Sequence, residues 1–427
     1  MPTIDAIQGL EILDSRGRPT VQATLILASG AQARAQVPSG ASTGGAEARE
    51  LRDGDPARYQ GLGCRRAAEN LSGEITSAVA GRDFPDQAAL DRFLIDLDGT
   101  PDKRRLGANA ILAVSLAFAR AHASARGLPL YRHLADVAAL PRPTTLPRPT
   151  VNLFSGGKHA GGQVAIQDVL VVPMRAPTMD EAMVVVAAVY AAASDLTARK
   201  YGGRGLVADE GGLAPAFPSP EGMFEDAVEA ICLAGFSPGA EVALAVDVAA
   251  THFFENGRYR IDEALDPSAM IDRIAGWLDA YPIVSVEDGL AEEDWGSWPR
   301  LRQRIGHRAL VLGDDLLTTN PARLRHAIEA DAATALLLKV NQIGTLTEAV
   351  AALRLARDAG WAVTISARSG ETEDDWLADL AVGWGGDQIK VGSIVRSERL
   401  AKYNRLLEIE AETGLPLAPW PRPDNQD

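Results

Sequence analysis

Six short apolar runs in the second half of the chain each end at a charged side chain. They are VALAVD ending at Asp247, PIVSVED carrying Glu287, ALVLGDD carrying Asp314, ALLLK ending at Lys339, AVTISARS carrying Arg368 and DQIK ending at Lys390. Continuous apolar runs without alternation mark strands buried on both faces. Each is followed by enough chain for one helix and two loops. Strand and helix repeated in this way predict a parallel β/α barrel, in which the C-terminal strand ends converge on one mouth. Between Pro149 and Pro173 the pattern changes. TVNLF and VAIQDVLVVP are separated only by the glycine-rich SGGKHAGG. A parallel pair needs a longer crossover, so the second barrel strand is expected to be antiparallel.

The first part of the chain reads differently. TVQATLILASGAQARAQV (20–37) alternates like two strands joined at Ser29-Gly30, and helical periodicity follows around 59–80, 86–97 and 106–126. The expected organisation is an α+β capping domain over 1–135, a proline-rich linker over 136–149, a barrel over 150–415 and a frayed tail over 416–427. PRPTTLPRP is taken as the boundary because so many prolines suit neither a helix nor a central strand. The segment MDEAMVVVAAVYAAASDLTARKYG is apolar on every side and is expected to be a well-covered helix.

Composition narrows the function. Hydrophobic content of 46% with 23% charged residues is that of a soluble globular protein. A net charge of −15 argues against nucleic acid or an anionic membrane as partner, while leaving room for an anionic small molecule in a cation-lined cleft. Two cysteines, Cys64 and Cys232, give neither a disulfide framework nor a thiol metal motif. The charged N-terminus does not read as a signal peptide, so the cytoplasm is the expected location.

Asp247, Glu287 and Asp314 offer hard oxygen ligands on rigid strand ends, which suits Mg²⁺. A single strand-end aspartate is as often a solvated loop group, but three in succession favour a metal. Lys339 directly follows four apolar residues and so faces the barrel interior. Beside a metal and Lys390 its pKa is expected to fall far enough for it to act as a base. Asp209 and Glu210 in ADEGG place a carboxyl where a general acid would serve. His159 sits in a glycine-rich loop that can close over a ligand. Arg368 and Ser369 suit a phosphate or carboxylate, and Ser39 lies on the flexible PSGASTGG segment. His122, His133, His307 and His326 are expected to be structural or merely exposed.

These motifs, taken in order, resemble the enolase (phosphopyruvate hydratase) family over nearly the whole chain. ILDSRGRPTV, VPSGASTG, EARELRDGD, LGANAILAVSLA, DEGG, YPIVSVEDGLAEEDW, GDDLLTTNP, LLLKVNQIGTLTEA, SARSGETEDDWLADLAV and IKVGSIVRSERLAKYNRLLEIE carry the resemblance. It implies a capping domain on a modified (β/α)8 barrel, a homodimer, and a Mg²⁺-dependent lyase acting on a phosphorylated three-carbon hydroxy acid. A base working with one or two Mg²⁺ ions on an enolate is the general logic of this superfamily. Residue by residue, the resemblance makes Asp247, Glu287 and Asp314 ligands of a structural Mg²⁺ and Ser39 a ligand of a second one. Lys339 becomes the base. Lys390, with the metals, neutralises the enolate. Glu210 becomes the acid, Arg368 and Ser369 the phosphate binders, His159 the lid histidine and Gln167 its neighbour, with Asp168 beside the leaving group.

The chain also departs from that pattern. Ser366-Ala367-Arg368-Ser369 replaces Ser-His-Arg-Ser, Gln167-Asp168 replaces Gln-Glu, and Ala208 replaces the glycine of Gly-Asp-Glu-Gly-Gly. Thr251-His252-Phe253 replaces Ser/Thr-Glu-Phe. Ala367, Asp168 and Glu210 correspond to the leaving-group side, whereas Lys339 and the carboxylates of the proton-abstraction side are intact. Three readings follow. The first is an ordinary enolase turning 2-phosphoglycerate into phosphoenolpyruvate. The second is a substrate-shifted paralogue resembling the carboxyphosphonoenolpyruvate synthases of phosphonate-antibiotic pathways, which handle a phosphonoformyl group. The third is a non-catalytic scaffold, against which retention of the lysines and carboxylates counts.

Overall fold

The computed structural model describes residues 2–41, 44–202 and 206–421. Strands β1 (Ile4–Leu13), β2 (Pro19–Leu27) and β3 (Gln32–Gln36) form an antiparallel sheet in the order β1-β2-β3. The hairpin at Ser29-Gly30 falls where alternation placed it. β1 itself was not legible, because its burial follows no clean alternation. The helix Ala108–Ala125 packs on β2 and β3, and most of its residues are buried, which explains its alanine and leucine content.

β4 (Arg148–Ser155), β5 (Asp168–Pro173) and β6 (Val242–Asp247) open the barrel. A small meander follows, made of β7 (Phe254–Glu255), β8 (Arg258–Arg260) and β9 (Ala264–Leu265). The barrel resumes with β10 (Ile283–Glu287), β11 (Leu310–Gly313), β12 (Ala335–Leu338), β13 (Ala362–Ser366) and β14 (Gln388–Lys390). The barrel closes in the order β10-β11-β12-β13-β14-β4-β5-β6. β5 runs antiparallel to both β4 and β6, as the short glycine-rich connection requires, and the other pairs are parallel.

Three expectations are corrected here. Pro149 lies inside β4, opposite Ile389 of β14. It is only the second residue of the strand, a position where proline is tolerated. The helix Met179–Tyr201 is not covered all round: Val184 is 63% exposed. Its inner stripe, including Val186, Val189 and Ala193, packs on the barrel, so its length and apolar composition serve barrel packing. The start of the supposed frayed tail is also ordered. Leu417 and Ala418 are buried and hydrogen-bonded to Pro177 and Leu146, and Trp420 packs beneath the barrel against Leu310, Leu337 and Leu170. Residues 422–427 lie outside the described residues.

The capping domain sits over the barrel mouth. Asp91 accepts from Thr347 N at 2.9 Å, and Lys103 pairs with Glu348 at 3.0 Å, both just beyond the end of β12. Ser39 and Gly370 exchange backbone hydrogen bonds of 2.8 and 2.9 Å, which fixes the Ser39 segment against the loop after β13.

Candidate active site

Parallel pairing sets the strand ends level. Glu287 stands opposite Asp247, and Lys390 stands opposite Ser366. A narrow cavity of about 30 Å³ opens there, lined by Gln167, Glu210, Asp247, Asp314, Lys339, Ala367, Arg368, Ser369 and Lys390, with Ala41 of the cap as part of its roof. That volume holds a water or two, so any larger ligand enters only when the lining side chains move.

The charges inside are tightly paired. Lys390 Nζ donates to Asp247 Oδ2 at 2.8 Å and to Glu287 Oε2 at 2.6 Å. Gln167 Nε2 donates to the same Asp247 oxygen at 3.1 Å. Lys339 Nζ donates to Asp314 Oδ2, and Gln342 Nε2 holds the other oxygen at 2.8 Å. Burial opposes ionisation of Asp247, but the Lys390 ammonium overrides it and lowers the carboxyl pKa. Glu287 is pushed well above the usual carboxylate range by burial and by the Asp247 charge.

The fall expected of the Lys339 pKa presupposes a metal beside it; the protein groups by themselves raise it. Burial, the largest single influence, would lower it, but the charge of Asp314 together with that of Glu287 carries it upward. Lys390 is likewise raised, by Asp247 and Glu287 against the effect of burial.

The donor set fits Mg²⁺. Asp247, Glu287 and Asp314 present hard oxygens, and Glu287 Oε1 is buried with no hydrogen-bond partner among the described residues. Asp288, Asp314 and Asp315 also bring carboxylate oxygens within 4.8 Å of one another. Asp288, however, accepts from the backbone amides of Asp314 (3.0 Å) and Asp315 (2.7 Å), so it fixes the turn that presents Asp314.

Other residues fall differently from expectation. Asp168 does not line the cavity. Its Oδ1 accepts from Asn152 Nδ2 and Ser155 Oγ, each at 2.7 Å, and it is fully buried. The short side chain is held back among these β4 groups. Ser39 is not with the carboxylates either: its hydroxyl donates to Glu50 at 3.0 Å and accepts from Arg52 at 2.8 Å. Arg368 is engaged by Glu47 at 2.9 and 3.2 Å and by Asn341 at 3.0 Å. The His159 backbone belongs to the short turn Gly157–Ala160, and its side chain lies outside the described groups. Asn152, Ser155, Glu47, Asn341 and Gln342 escaped the sequence reading. Glu47 had a signal within EARELRDGD, as Asn341 and Gln342 had within LLLKVNQIGTLTEA, whereas Asn152 and Ser155 had none.

A barrel with an antiparallel second strand, capped at its mouth and carrying facing carboxylates and lysines, defines an enolase-superfamily type of protein. Residues 4–134 match the family model described as enolase, N-terminal domain, and residues 143–417 match that of enolase, C-terminal TIM barrel domain. The chain belongs to the enolase family, whose members typically use Mg²⁺.

Proposed function

We propose that the protein is a Mg²⁺-dependent lyase that removes the α-proton of a 2-phosphoglycerate-like acid and yields a phosphoenolpyruvate-type product. The observation that carries this reading is the meeting of Asp247, Asp314, Lys339 and Lys390 around one cavity, with Glu287 paired to Lys390 behind its wall. Lys339 takes the proton at the carbon bearing the phosphate ester. Lys390 faces the negative charge that develops on the carboxylate. Arg368 and Ser369 hold the phosphate, Arg368 exchanging Glu47 for it. Glu210 gives a proton to the departing β-hydroxyl, which leaves as water. The chemistry that Mg²⁺ supplies, when Asp247, Glu287 and Asp314 hold it, is positive charge beside the substrate carboxylate and competition with Lys339 for Asp314.

A second reading is favoured by the leaving-group side. Asp168 is tied to Asn152 and Ser155, and Ala367 presents only a methyl group to the cavity. On this reading the protein is a substrate-shifted paralogue similar to carboxyphosphonoenolpyruvate synthase, with room beside Ala367 for a phosphonoformyl group. A paired assay on 2-phosphoglycerate with Mg²⁺ in D₂O separates the two. Product formation at the rate of α-proton exchange supports the ordinary lyase. Exchange with little product supports the shifted paralogue. Absence of both overturns the lyase reading and returns the scaffold.

A further inference from the structure

The loop after β13 carries Arg368 and Ser369, and the end of β14 beside it carries Lys390. The helix Ser397–Thr413 sends one side chain to both places, the Arg399 guanidinium, which is completely buried. Arg399 Nη1 donates to the backbone carbonyl of Arg368 at 2.6 Å and to that of Val391, the residue after Lys390, at 2.9 Å. Nη2 donates to the carbonyl of Ser369 at 2.6 Å. Each of these three carbonyls belongs to a residue that lines the catalytic cavity. Gly392 leaves room for the fork. Its φ is +117°, and a Cβ there would stand 2.9 Å from Arg399 Cδ and 3.0 Å from the carbonyl oxygen of Glu210. Lys402, one turn further along the helix, reinforces the same loop. It pairs with Glu371 at 2.9 Å, and Glu371 Oε1 accepts the Arg368 amide at 3.1 Å. Burying a cation is costly, and an apolar side chain would pack there with less desolvation. What an apolar side chain could not do is fix where three carbonyls lie.

We propose that Arg399 is a positioning residue, which sets the spacing between the phosphate-binding pair Arg368 and Ser369 and the lysine Lys390 without touching the substrate. A planar guanidinium fork holds several acceptors in one fixed geometry, which a lysine cannot do. A ligand with its phosphate on Arg368 and Ser369 and its carboxylate facing Lys390 needs those two ends at one separation, and small misplacements are costly in binding and rate. The inference rests on the lyase reading for the roles of these three residues, so its test reads phosphate binding as well as turnover.

The test compares the full chain with its Arg399→Gln, Arg399→Lys and Arg405→Gln variants. Arg405 lies on the same helix and pairs with the buried Asp379 at 2.9 Å, and neither lines the cavity, so its variant reports the loss of a structural ion pair alone. Affinity for inorganic phosphate is read by calorimetry, and kcat and KM for 2-phosphoglycerate with Mg²⁺ by the D₂O assay. Arg399→Gln is expected to weaken phosphate by about tenfold or more and to raise KM alongside. Arg399→Lys keeps the charge but offers one nitrogen in place of a fork, so it should recover part of that affinity. Arg405→Gln should lower Tm and leave phosphate affinity and KM as they were. In the Arg368→Ala background, Arg399→Gln should add little further loss of phosphate affinity, because it acts through that loop. Unchanged phosphate affinity and KM in Arg399→Gln overturn the proposal, as does a loss that simply adds to that of Arg368→Ala. Should Arg399→Gln fail to fold, Arg399→Lys decides, and wild-type affinity and KM in it overturn the proposal. Absence of phosphate binding in the wild type overturns it too. Absence of turnover with phosphate still bound sinks the lyase reading by itself, and the phosphate comparison still decides whether Arg399 positions the loop.

Discussion

Gly212 is the place to test how the leaving-group side is held. A Cβ built there would stand 2.5 Å from Ser155 Oγ and 2.8 Å from Asn152 Oδ1, whereas ordinary contact begins near 3.4 Å. In Gly212→Ala the Ser155 hydroxyl must therefore retreat by about 0.9 Å. Both crowded side chains hold Asp168 Oδ1 at 2.7 Å, so the substitution disturbs a fully buried carboxylate. Hydrogen bonds to charged groups are worth ~1.5–3 kcal/mol, so weakening this pair should cost about 2 kcal/mol. For a chain of this size that is a fall in Tm on the order of 2–4 °C. Misplacement of ~1 Å near reacting groups costs ~10²-fold in rate. In the D₂O assay, product formation should fall about that far, while exchange, which depends on Lys339 across the cavity, falls much less. Gly276→Ala is the control, since nothing stands within 4 Å of its added carbon and it lies in the helix Pro267–Ala280. It should keep activity and raise stability slightly. Wild-type Tm in Gly212→Ala would refute the packing argument whatever the substrate. Parallel loss of exchange and product would refute the division of the cavity into two sides.

Lys339→Met should lower α-proton exchange by about 10²–10⁴-fold in the NMR assay, the usual range for losing a general base. Mg²⁺ should stabilise the fold by ~2.7 kcal/mol at a hundredfold excess over Kd, read as a rise in Tm that EDTA reverses, because the ion would neutralise the crowded Asp247 and Glu287. Arg368→Lys should lose the two-point contact with Glu47, raise KM and lower Tm, read by kinetics and thermal unfolding. His133 supplies a pH test. Burial, then the positive charges of His122 and Arg126, depress its pKa to about 4 from 6.5. The unfolded chain therefore takes up a proton before the folded one does, and stability is lost as pH falls from about 6.5 towards 4. The loss reaches at most ~2 kcal/mol at pH 5. Denaturant unfolding of His133→Gln should show a flatter acid limb.

The barrel was legible because strands buried on both faces leave unbroken apolar runs, each stopping at a side chain that cannot be buried unpaired. The antiparallel β5 was legible from the length of one connection. The Lys339 pKa was not, because its direction depends on Asp314 coming close enough to bond it. The family resemblance put Asp168 on the leaving-group side. Where its carboxylate turns is decided by Asn152 and Ser155 on another strand, and no linear pattern encodes that. The ordered start of the tail was misread for a related reason. Its turn formers say nothing about the apolar floor formed by Leu310, Leu337 and Leu170, on which Trp420 rests.

Closure of the barrel joins β4 to β14, pairing Arg148 with Gln388 and Thr150 with Lys390. On a ribosome these partners emerge far apart in time. The cap sheet can pair its three consecutive strands early, through local hairpins. β4 has to wait, with an open edge, until nearly all of the later strands have been made. The nascent barrel thus spends its synthesis as an incomplete sheet with apolar faces exposed, the species most in need of chaperone protection. Lys390 is held level with Asp247 and Glu287 by its pairing on both sides, with Ser366 of β13 and Thr150 of β4, and β14 is the last strand to be made. No earlier intermediate on the ribosome can hold a working site.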